Sequence, residues 1–139
     1  MNIYSKIVIF SCFAFSAFAY AEQKPIPGCE GMSPPQARSC LSQMMSESEK
    51  AMVDMEYKSM DALRRWNEAS SISTQVQSRL VATAKTFRIY RNAECGLVAN
   101  LGSMSQQLEM ENDQISCIYE LNIARTSHLS LIFKDLPQR

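Results

Sequence analysis

SPPQARSCLSQMMSESEKAMVDMEYKSMDALRRW, residues 33–66, holds the pattern that decides the fold. Leu41, Met45, Met52, Met55, Ala62 and Trp66 fall on a 4-3 spacing, and Ser48 and Ser59 fill the remaining places. A period of 3.5 residues marks a long helix packed in a bundle. Ser33 is an N-cap residue, and Pro34 stands at the first helical position, where a missing N–H costs nothing. The spacing predicts a helix over 34–67.

Towards the C-terminus the pattern repeats. Glu68-Ala69-Ser70-Ser71 reads as a break, with Ser70 or Ser71 as the next N-cap. Ile72, Val76, Leu80, Thr83, Phe87, Tyr90, Leu97 and Leu101 predict a second helix over 72–99. Asn100-Leu101-Gly102-Ser103 ends it, with Gly102 as a left-handed position. A third helix is expected over 106–134, its inner seam Leu108, Ile115, Ile118, Leu129 and Ile132. Leu121, Ala124, His128 and Leu131 widen that face, and Pro137 closes the chain. The expectation is an all-α protein: an antiparallel bundle of three long helices.

Towards the N-terminus the sequence changes character. Lys6 precedes Ile7–Phe18, an apolar run broken only by Ser11, Cys12 and Ser16, and Ala19-Tyr20-Ala21 follows. This is the layout of a secretory signal peptide cleaved after Ala21, and the run is too short to span a membrane. Residues 1–21 are therefore expected to be a removable signal, 22–32 an extended lead with Pro25 and Pro27, and 33–139 the helical domain. The processed protein is expected in the periplasm or outside the cell, with no stable membrane insertion.

Lys plus Arg equals Asp plus Glu, 14 each. No basic excess favours nucleic acid, and no polybasic block favours anionic lipid. Beyond Cys12 four cysteines remain: Cys29, Cys40, Cys95 and Cys117. An even number in an oxidising compartment implies two disulfides. Geometry favours Cys29–Cys40, where the lead folds back on the first helix. It also favours Cys95–Cys117, at matching heights on a helical hairpin turning near residues 102–106. No C-x2-C occurs and His128 is the only His, so a zinc site is disfavoured.

Catalytic constellations are missing from the sequence, and no cofactor motif is present. Glu47, Glu49, Asp54 and Glu56, with Glu109, Glu111 and Asp113, read as solvated faces, and His128 reads as a packing residue. Met44 and Met60 lie off the first seam and are candidates for a partner-binding face, since Met suits adaptable surfaces. Lys85, Arg88 and Arg91 rise along the second helix near Glu94 and Arg125. They read either as a solvated stripe with an internal Arg–Glu pair or as a basic patch for a partner's carboxylate. Gly102 and Ser103 form a hairpin tip suited to a partner's groove. The heptad-like seams also allow a homodimer.

Ala84-Lys85-Thr86-Phe87-Arg88-Ile89-Tyr90-Arg91-Asn92-Ala93-Glu94-Cys95 resembles a segment of the secreted bacterial lysozyme-inhibitor LprI-like family. Gly102-Ser103 matches that family's Gly-Ser, Cys117 through Arg125 and Leu129 its closing stretch, and Cys29 and Cys40 its first two cysteines. Phe87, Asn92 and Asn122 stand where the family has Trp, Asp and Thr. The resemblance implies a helical, disulfide-stapled envelope protein that blocks a lysozyme or another peptidoglycan-cleaving muramidase. On that reading Arg88 and Ser103 meet the enzyme's carboxylates, while Arg91, Glu94 and Arg125 pair internally. The alternative is a non-enzymatic interaction subunit of an envelope assembly.

Overall fold

The computed structural model describes residues 28–102 and 107–138. The expected signal, most of the lead, and the tip residue Ser103 lie outside them. Three helices pack on one another: α1 (Pro34–Arg64), α2 (Ser70–Gly102) and α3 (Gln107–Phe133). No strand occurs among the described residues, only an isolated bridge between Trp66 and Gln138.

The start of α1 follows from its sequence. The Ser33 amide and hydroxyl both donate to the Gln36 side-chain oxygen (3.2 and 2.8 Å). Pro34 occupies the first turn. Ahead of it the chain turns rather than extending through 28–31, with Gly28 and Gly31 at positive φ (104° and 72°), where a side chain would strain the backbone. That reversal returns Cys29 to Cys40, and their Cα atoms lie 5.9 Å apart across a disulfide.

α1 stops at Arg64, short of the expected 67. Arg65 and Trp66 close the last turn with bonds to Asp61 and Leu63 carbonyls. The Ser73 hydroxyl, from the first turn of α2, donates to the Leu63 carbonyl at 2.6 Å. It satisfies one of the carbonyls that every helix end leaves open.

α2 runs antiparallel to both neighbours. Arg88 meets Glu56 and Arg91 meets Glu49 across α1. Cys95 meets Cys117 of α3 in the second disulfide, Cα–Cα 5.4 Å. α1 and α3 consequently run parallel. The Asn112 amide donates to the Pro34 carbonyl, Arg38 pairs with Glu111, and beyond the helices the Asn67 amide donates to the Pro137 carbonyl. α1 packs mainly on α3, and the α1–α2 interface is the smallest of the three. The all-α bundle and both disulfide pairings match the sequence expectation.

On α1 the buried stripe follows the expected seam through Leu41, Ser48, Met52 and Ser59 and leaves it only at Leu63, which replaces Ala62; the departures are larger on α2 and α3. Leu41, Ser48, Met52, Ser59 and Leu63 are buried on α1, while Met45, Met55 and Ala62 are only partly so. Leu41, Met52 and Leu63 recur every 11 residues, as do Ser48 and Ser59. That period, about 3.67, is nearer a straight helix than the 3.5 of a heptad. On α2 the inward positions are Ser73, Leu80, Arg91, Cys95 and Ala99. Ile72, Tyr90, Leu97 and Leu101, expected inside, are exposed. On α3 Asn122 and Leu129 are buried, whereas Leu131, Ile132 and His128 face outward. His128 is therefore not a packing residue. A heptad template drifts about 20° per seven residues against a straight helix, so its error grows with helix length.

Two apolar clusters lie at opposite ends of the bundle. One joins Cys29 and Leu41 with Met44, Ile115 and Tyr119. The other joins Leu63, Leu80 and Leu129 with Met60, Trp66 and Phe133. Met52, Leu63 and Leu129 are shut from solvent, each burial contributing about 1.5–3 kcal/mol.

Candidate functional site: a polar layer across three helices

Between the apolar clusters the bundle holds a polar layer. α2 supplies Arg91, 8% exposed, whose Nη1 donates to Glu49 of α1 and, at 2.7 Å, to the Asn122 oxygen of α3. The Asn122 amide donates in turn to the Ser48 hydroxyl (3.0 Å) and to Glu49 (3.3 Å). Arg91 also donates from Nε and Nη2 to Asn92 (3.2 Å each). Asn122 is fully buried and uses its amide as both donor and acceptor, a double role that a carboxylate or an apolar side chain of its size cannot fill. One turn away Arg88 donates to both Glu56 oxygens (2.7 and 3.5 Å) and lies 3.8 Å from Glu49.

This layer overturns part of the sequence expectation. Glu56, its side chain only 13% exposed, is not a member of a solvated face, and Glu49, which keeps 38% of its side chain in solvent, is committed with it to the arginines of α2. Removing the acid of such a pair leaves the buried Arg91 charge uncompensated, which is costly. The layer therefore acts on register, tying each helix to the other two.

The remaining candidates are distributed as follows. Arg91 pairs internally, as expected, with Glu49 rather than Glu94 as its acid. Arg125 donates to the Thr83 hydroxyl at 3.2 Å and stands over the Phe87 ring, 5.5 Å from its centroid. Its stem and charge lie over an aromatic face, an arrangement worth about 0.5–1 kcal/mol at an exposed site. Arg88, the candidate for a partner's carboxylate, is engaged with Glu56 and borders a groove between α1 and α2. Met44 and Met60 both pack against apolar clusters instead of standing free on a face. Gly102 is the last residue of α2.

Among the described residues, no group of three or more His, Cys, Asp or Glu is placed to hold a metal ion. No described helix is long and apolar enough to cross a membrane.

No family model, curated protein or solved structure matches the chain.

The polar layer was only partly visible in the sequence. Ser48 falls on the expected seam and Arg91 on the expected pairing. Glu49, Glu56 and Asn122 were missed. Their signal was the antiparallel register: Arg88 and Arg91 ascend α2 where Glu56 and Glu49 descend α1. That register is available only once the α1–α2 connection has been placed.

Proposed function

We propose that this protein acts by binding, outside the cytosol, as an inhibitor of a lysozyme or another peptidoglycan-cleaving muramidase. The observation carrying this reading is the way the polar side chains are spent. Arg88, Arg91, Glu49, Glu56 and Asn122 satisfy one another across the three helices instead of converging on an open cleft. Such a frame holds a surface rigid, and rigid surfaces lower the entropic cost of association. The Cys95–Cys117 bond ties α2 to α3 about two to three turns below the ends that flank residues 103–106. Ser103 is the candidate contact there, by resemblance to the LprI-like proteins. Two disulfides suit an oxidising compartment such as the periplasm or the exterior.

The test is cell-wall lysis by a panel of lysozymes, with and without the oxidised chain Glu22–Arg139. The expected result is dose-dependent inhibition at near-stoichiometric ratios, lost on reduction and weakened by Ser103→Ala. A flat response from folded, helical protein across the panel refutes the reading.

A second reading is an envelope interaction subunit. Ile72, Tyr90, Leu97 and Leu101 of α2 are all exposed, and their spacing puts them on one side of the helix. Exposed apolar patches of that kind mark protein contacts. Loss of partner capture in a Tyr90→Ser, Leu97→Ser variant, with lysis unaffected by the parent protein, would select it.

A further inference from the structure

α1 and α2 share the smallest interface in the bundle, and a groove of about 560 Å³ opens between them. Its apolar lining is Val53 and Met60 of α1 with Leu80, Val81 and Ala84 of α2. Met60 and Leu80 belong to the apolar cluster beneath, so the groove is floored by the core itself. Ala84 is the smallest of these side chains and leaves space where a larger one would fill the gap. From Val53 to Arg64 the groove follows α1 for about 16 Å.

The charges on the groove are not balanced. Its single carboxylate, Glu56, is held by Arg88 at 2.7 Å. Two further cations line it, Arg64 and Lys85, and neither makes an ion pair among the described residues. α2 offers no acid to this face, since its only carboxylate is Glu94. A chain with equal numbers of basic and acidic residues thus carries a local surplus of two positive charges beside an apolar trough.

We infer that the α1–α2 groove binds a free single-chain anionic amphiphile, with its alkyl tail along Val53, Met60, Leu80 and Val81 and its headgroup between Lys85 and Arg64. The volume falls within the range of small-ligand sites, roughly 300–1,000 Å³, and the mix of many apolar walls with a few convergent polar groups is typical of them. The long, flexible stems of Arg64 and Lys85 can lie along the trough while their charged ends meet the headgroup. The carboxylate or sulfate of the amphiphile supplies the missing counter-charge. Its tail covers apolar surface that water now wets.

The experiment is calorimetric titration of the oxidised protein with decanoate, decanol and decyltrimethylammonium, each below its micelle concentration. Decanoate is expected to bind with one-to-one stoichiometry, more tightly than decanol and far more tightly than the cation. R64E/K85E should weaken decanoate by roughly tenfold or more and strengthen the cation. Val81→Asp should abolish decanoate binding; Val81 is 60% exposed, so the bundle tolerates the change. Circular dichroism checks that each variant is folded. Equal binding of the three amphiphiles, no binding of decanoate, or decanoate binding untouched by R64E/K85E would overturn the assignment. Binding of an acidic amphipathic helical peptide with decanoate inert would also overturn it and give the groove to a protein partner.

Discussion

At the scale of single residues Ser59 and Asn122 are opposites, a buried polar group without a partner and one that holds much together. The Ser59 hydroxyl is 1% exposed and has no hydrogen-bond partner. A buried, unpartnered hydroxyl costs about 1–3 kcal/mol relative to leaving it in water. Ser59→Ala should therefore raise the urea midpoint, by about 1 kcal/mol in unfolding free energy, at unchanged slope. A lower midpoint would mean that the hydroxyl has a partner in solution. Asn122 is the opposite case. It links Arg91, Ser48 and Glu49 from full burial. Asn122→Ala and Arg91→Ala should each cost about 2–3 kcal/mol, below the full penalty of a buried pair because Glu49 remains 38% exposed to solvent. The double variant should cost less than the sum by about 1 kcal/mol or more, as expected for groups in one network. Strict additivity in a double-mutant cycle would break up the layer as a unit.

At the scale of elements, cross-links and helix period divide the work. Cys95–Cys117 closes a loop with a sequence separation of 22 and joins two helices, whereas Cys29–Cys40, separation 11, ties a turn to the helix it precedes. Chain entropy alone assigns each about 3 kcal/mol, the longer loop slightly more. Replacing Cys95 and Cys117 with Ser should lower the thermal midpoint and loosen the α2–α3 ends. Replacing Cys29 and Cys40 should fray only the start of α1, as amide exchange at residues 34–44 would show. Equal loss of protection along all three helices in both variants would contradict this division. Helix number, helix type and disulfide pairing were legible in the sequence because each rests on local signals: Ser33-Pro34, the 68–71 break, the spacing of four cysteines. The facing of α1 was legible through Leu41, Ser48, Met52 and Ser59, but that of α2 and α3 was not. Tyr90, Leu97 and Leu101 look like a seam under a heptad ruler, yet the packed stripe follows an 11-residue beat through Leu41, Met52 and Leu63. Its central layer is polar, which hydrophobicity patterns cannot mark.

At the scale of the whole molecule, neither disulfide crosses from α1 to the α2–α3 hairpin. One lies wholly within residues 29–40 and the other wholly within 95–117. Covalent continuity between the two parts therefore runs through residues 65–69 alone. α1 is otherwise held by the Leu63 and Leu41 clusters, by Arg38–Glu111 and by the polar layer. Cut once in that connection, the oxidised protein becomes a non-covalent pair whose halves can part and rejoin. The same topology lets α1 leave its own hairpin and dock on that of a neighbouring copy, restoring its contacts with α2 and α3 across two chains at the cost of the turn at residues 65–67. The protein thus carries a built-in route to exchange of a helix between molecules, open to its α1 and closed to the stapled hairpin.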